Sequence, residues 1–83
     1  MGYHKTEIPR GTYGEFSKIK EEFLEAQDAF EQENSVMLLV ELSDLLGAID
    51  GFVGKFNMTL EDLIKMKNAT QGAFQDGTRK PRQ

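Results

Sequence analysis

The stretch that decides the fold is residues 37–56, MLLVELSDLLGAIDGFVGKF. It is apolar almost throughout, yet Glu41 and Asp44 sit inside it, three residues apart. Side chains at that spacing share one face of a helix, with Cβ atoms about 5–6 Å apart. Burying one carboxylate is costly, and burying two side by side is worse. A shared cation would offset both costs. The segment therefore reads as a helix with a charged edge. Glu41, Asp44, Ala48 and Gly51 run along that edge, and Leu38, Leu42, Leu45, Ile49 and Phe52 fill the apolar face.

Outward from this helix, two more follow. Phe16, Ile19, Phe23, Ala26 and Phe30 recur at steps of three and four. They predict a helix over 15–33 with that stripe as its bundle seam. Glu22 and Glu25 lie on one flank of the seam, and Glu21 and Asp28 are expected to point outward. Asn34 or Ser35 caps the central helix, placed at 35–55. Thr59 and Asp62 form a capping-box-like start for a third helix over 60–75. Its inward face includes Leu60, Leu63, Ile64, Lys67 and Phe74, with Lys67 in the middle of an apolar stripe. Residues 1–14, with Gly2, Pro9, Gly11 and Gly14, read as an irregular arm tacked down by Tyr3, Ile8 and Tyr13. Residues 76–83 form a basic tail. The expected architecture is all-α and a single domain over 1–83: a three-helix antiparallel protomer with an N-terminal arm. A core this small usually needs help, so dimerisation into a helical bundle is expected.

The 83 residues carry a net charge of −4, no cysteine and one histidine, His4. Thiolate and multi-histidine metal sites are thereby excluded. Every charged residue from Glu21 to Asp50 is acidic, and the lysines and arginines flank that interval. The pattern argues against a nucleic-acid binder. It calls for a cation in the middle of the fold, with flanking bases suited to an anion beside it. No run is long and apolar enough to span a bilayer. The first ten residues have no signal-type apolar run. The expectation is a soluble, cytoplasmic protein.

Glu22-x-x-Glu25 and Glu41-x-x-Asp44 place an acid pair on each of two adjacent antiparallel helices, so four carboxylates can point at one spot. On their own, Glu22 and Glu25 also fit a solvated helix face; Glu41 and Asp44, in apolar surroundings, fit that less well. An all-oxygen anionic set suits Mg²⁺, or Mn²⁺, rather than zinc. A di-iron bundle would want Glu-x-x-His on two helices, and there is none.

Glu21-Glu22-Phe-Leu-Glu25 followed by Glu41-Leu-Ser-Asp44 resembles the EExxE…ExxD signature of the MazG-like, all-α nucleoside triphosphate pyrophosphohydrolases. The fifteen residues between Glu25 and Glu41 fit that family's spacing. The resemblance covers roughly Gly14 to Arg79. Lys65-Met-Lys67-Asn68 and Gly77-Thr-Arg79 look like the family's phosphate-side helix and basic end. The resemblance implies Mg²⁺-dependent hydrolysis of a nucleoside triphosphate between its α- and β-phosphates, giving the monophosphate and pyrophosphate. It implies Glu22, Glu25, Glu41 and Asp44 as metal ligands, and a homodimer or homotetramer. Lys67, Asn68 and Arg79 would contact substrate, although Lys67 also fits a lysine that lays its stem on the core. Glu22, or its neighbour Glu21, would take the proton from the attacking water. Two rivals share the acidic pattern: a non-enzymatic helical adaptor for a basic partner, and a degenerate member that binds nucleotide without cleaving it.

Overall fold

The computed structural model describes residues 7–76, with side chains as far as Gln71. The element order is α1 (Phe16–Glu31), α2 (Ser35–Val53), a 3-10 turn (Gly54–Phe56) and α3 (Leu60–Asp76), with no strand among the described residues. Among the described residues no helix is long and apolar enough to cross a membrane. Tyr3, His4, Arg79 and the rest of the basic tail lie outside the described residues, as does the Phe74 side chain.

α1 is shorter at both ends than the 15–33 expected. Glu15 is its N-cap, with extended backbone and no side-chain capping bond. Its other end closes on Glu33, which adopts a left-handed φ of 58°. The Glu33 amide donates to the Phe30 carbonyl at 3.0 Å and the Asn34 amide to the Ala29 carbonyl at 3.0 Å. These are the two bonds of a Schellman closure. Asn34 then begins α2, its Oδ1 accepting from the Met37 amide at 3.1 Å. So short a link makes α1 and α2 an antiparallel hairpin, and this hairpin holds most of the tertiary packing.

The buried face of α1 is not the aromatic seam. Phe16, Phe23 and Phe30 are 63%, 53% and 66% exposed. Of the expected seam Ala26 is buried and Ile19 half-buried; beside Ala26 the buried residues are Ala29 and Glu22, and also Glu21 and Asp28, which the sequence pattern placed outward. Residues 22 and 29 stand about 100° round the helix from 23 and 30. α2 covers the first stripe, with Ala48 and Glu41 as its own buried residues. Small residues bring the two backbones close, and the larger apolar side chains are left on the flanks.

The arm accounts for the burial of Glu21 and Asp28. It runs back along α1: Ile8 lies in a small depression with Leu24, Gln27 and Asp28. The Gly11 amide reaches Glu21 Oε1 at 2.9 Å. Gly11 sits so close to the backbone of Ser17 and Lys18 that a Cβ there would collide with it. Tyr13 lays its ring over Gly51 of α2, as expected of an arm-tacking residue.

α3 starts as the Thr59–Asp62 pattern predicts. The Thr59 amide donates to Asp62 Oδ2 at 3.0 Å, and the Asp62 amide donates to Thr59 Oγ1 at 3.2 Å. Asp50 of α2 adds a second cap, its Oδ1 accepting from the Leu60 amide at 2.9 Å. Beyond that anchor α3 meets α2 sparsely and does not pack on α1 among the described residues. The expected three-helix core is thus an α1–α2 hairpin from which α3 extends. The radius of gyration, 14.9 Å, exceeds the roughly 12 Å of a compact domain of this length.

Glu33→Gly should stabilise the protein by about 1 kcal/mol, because glycine takes left-handed φ without the penalty of a Cβ. Thermal melting checks this: the variant should melt higher than the wild type.

Candidate metal centre

The hairpin brings the two acid pairs together. α1 contributes Glu21, Glu22 and Glu25, and α2 contributes Glu41 and Asp44. One carboxylate oxygen each from Glu22, Glu41 and Asp44 lie within 4.8 Å of one another. The same holds for Glu21, Glu22 and Glu25. Glu22 belongs to both groups and is their hinge. Glu22 is 6% exposed and Glu41 5%, whereas Asp44 reaches solvent.

Lys18 partly balances the charge inside the cluster. Lys18 Nζ lies 3.1 Å from Glu21 Oε1 and 3.1 Å from Glu22 Oε2. These bonds, to Glu22 first and Glu21 second, hold the Lys18 ammonium above its ordinary pKa. Burial works against ionisation of Glu21, yet the Gly11 amide and Lys18 outweigh it and keep its carboxyl below the usual range. Glu41 moves the other way: burial raises its pKa, and the Asp44 carboxylate adds to the rise. Glu22 Oε1 is buried and accepts no hydrogen bond among the described residues. A buried carboxylate oxygen in that state is costly, and a cation would satisfy it.

The residues present therefore fit a hard divalent cation: anionic oxygens from two helices, nitrogen and sulfur ligands absent among them. Of the four acids expected from sequence, Glu22, Glu41 and Asp44 share one group, and Glu25 joins through the other. Glu21, expected to face away, belongs to the cluster as well.

The substrate-side residues are not gathered there. Lys67 and Asn68 are exposed on α3, where Lys67 Nζ donates to Asn68 Oδ1 at 3.0 Å. Lys67 lines a surface depression with Leu63, Met66, Thr70 and Gln71. Since α3 does not pack on α1, it does not roof the acids of its own chain. Lys67 was expected to face inward; the hairpin offers α3 no third side to lie against. Arg79 lies outside the described residues. The sequence reading missed Lys18 and Gly11 as parts of the cluster. The spacing of Lys18, three and four residues before Glu21 and Glu22, was the available signal. Nothing comparable marks Gly11.

No family model matches the chain, and neither the curated proteins nor the solved structures contain a match to it.

Glu41→Gln should raise the melting temperature of the metal-free protein at pH 7, since it removes a carboxylate whose ionisation burial and Asp44 oppose. The pH dependence has a definite sign. A carboxyl raised in the fold binds its proton more tightly than in the unfolded chain, so stability falls as pH rises through the unfolded value, about 4.5, to the folded one. Glu21 acts oppositely, its stability being lost as pH falls below that range. The difference between wild-type and Glu41→Gln melts isolates the first effect: it should widen from pH 4 to pH 7. Millimolar Mg²⁺ should raise the wild-type melting temperature and leave the variant's nearly unmoved.

Proposed function

We propose that the protein is a MazG-like nucleoside triphosphate pyrophosphohydrolase, cleaving its substrate between the α- and β-phosphates with Mg²⁺, which Mn²⁺ can replace. The carrying observation is the meeting of Glu22, Glu41 and Asp44 from two helices within 4.8 Å, around a buried Glu22 oxygen that has no hydrogen bond. Glu22, Glu41 and Asp44 would hold the ion, with Glu25 beside them through the Glu21–Glu22 group. When bound, the ion neutralises phosphate charge and acidifies water.

The chain's own groups supply the rest. Glu22 is the general base through Oε2, the oxygen not left for the ion, because it is the acid common to both groups and the most enclosed of α1's three. Lys18 contacts both carboxylates, but the Gly11 amide adds a second bond to Glu21 and helps keep it ionised, which leaves it the poorer proton acceptor. The nucleotide enters from the Asp44 side, where the cluster reaches solvent. By this reading the protein works on the cytoplasmic nucleotide pool.

The working unit is a homodimer or a homotetramer. Phe16, Ile19, Phe23, Leu45 and Ile49 line an apolar groove of about 360 Å³ along the hairpin, and Leu42 and Leu46 stand exposed on α2. Pairing with a second copy buries this face. Lys67 and Asn68 then meet the triphosphate from the second copy's α3, joined by Arg79.

Two measurements test the reading. Incubation with a panel of nucleoside triphosphates and Mg²⁺ should release pyrophosphate and monophosphate. Lys67→Ala should raise KM roughly tenfold or more with a smaller change in kcat. Binding without turnover across the panel would leave a nucleotide binder. Sedimentation should find a dimer or tetramer, and Phe23→Glu should shift it to monomer; a wild-type monomer would sink the assembly.

A further inference from the structure

We infer that the Lys18 ammonium takes the place of a second divalent ion, so that the acidic cluster binds one exchangeable metal, on Glu22, Glu41 and Asp44. The inference rests on the metal-dependent reading above and adds its stoichiometry.

Carboxylates alone leave the number of ions open. Two overlapping groups share Glu22, and in each one carboxylate oxygen per residue lies within 4.8 Å of the others. Lys18 makes them unequal. Its Nζ lies against the Glu21–Glu22–Glu25 group, 3.1 Å from Glu21 Oε1 and 3.1 Å from Glu22 Oε2. Glu21 Oε1 is engaged a second time by the Gly11 amide at 2.9 Å. An ammonium is a compact positive charge with several donors, able to bridge two carboxylates much as a metal does. A divalent ion among Glu21, Glu22 and Glu25 would lie against that ammonium and be repelled by it.

Glu22 shows the division most clearly. Its Oε2 is held by Lys18, while Oε1 is buried and without a hydrogen bond. One oxygen is thus given to the tethered cation and the other is left for a free one. Lys18 acts as a positioning residue: it fixes the carboxylate that the exchangeable ion needs and fills the neighbouring place. Being attached to α1, it cannot be lost to a chelator.

Titration of the full chain with Mn²⁺, followed by electron paramagnetic resonance and calorimetry, tests this. The wild type should bind one ion per chain with the spectrum of isolated Mn²⁺. Lys18→Met and Lys18→Gln should bind two, with the broadened spectrum of a coupled pair, while Lys18→Arg stays at one. Circular dichroism confirms that each variant is helical. Two ions in the wild type, or one in the folded Met and Gln variants, would overturn the inference and leave the metal reading intact. A wild type that binds no Mn²⁺ would instead overturn the metal reading, and the inference with it. The wild-type count decides by itself where the neutral variants do not fold.

Discussion

Carboxylates enclosed between α1 and α2 are the constraint on which the rest of the structure turns. Glu22 and Glu41 are almost wholly shielded from water, one from each helix of a hairpin that packs through Ala26, Ala29 and Ala48. Such an interface gains little from apolar burial, because alanine has little surface to hide. It places like charges where repulsion is weakly screened. Everything near it answers that problem: an ammonium on Glu21 and Glu22, a backbone amide on Glu21, a raised pKa at Glu41. Structures seldom accept such a burden at an interface unless the charges are used.

The same choice explains the outward aromatic residues. A helical hairpin can cover one stripe on each helix, and here that stripe carries the acids. Phe16 and Phe23, about 100° away, are left for another surface. Phe16 and Phe52 meet edge-on with centroids 5.5 Å apart, which knits this face together without covering it. Enclosed acids and an open apolar flank are therefore two results of one helix rotation.

Much of the secondary structure could be read in advance. Asn34 and the Thr59–Asp62 pair announced two helix starts through chemistry that is local to the chain. The meeting of Glu22 with Glu41 and Asp44 was legible too, since three-residue spacing fixes a shared face on each helix. The facing of α1 was not. Periodicity finds a stripe, but it does not say whether that stripe meets a partner in the same chain, and the aromatic members of the stripe outweighed Ala26 within it and Ala29 beside it. Glu21 and Asp28 were misjudged because their cover comes from the arm, a segment without periodicity. α3 drew its expected inward face from its apolar residues; among the described residues its first turn is anchored by Asp50 and the rest meets α2 sparsely.

Gly51 reads in the sequence as a weak point in an apolar helix, and in the fold it is a seat. The Tyr13 ring occupies the space where a side chain at 51 would stand. Any larger residue there would unseat the ring, and the strand of chain behind it includes Gly11, whose amide steadies Glu21. A missing methyl on one helix thus governs how firmly a carboxylate on the other is gripped, through a latch made of aromatic ring and bare backbone.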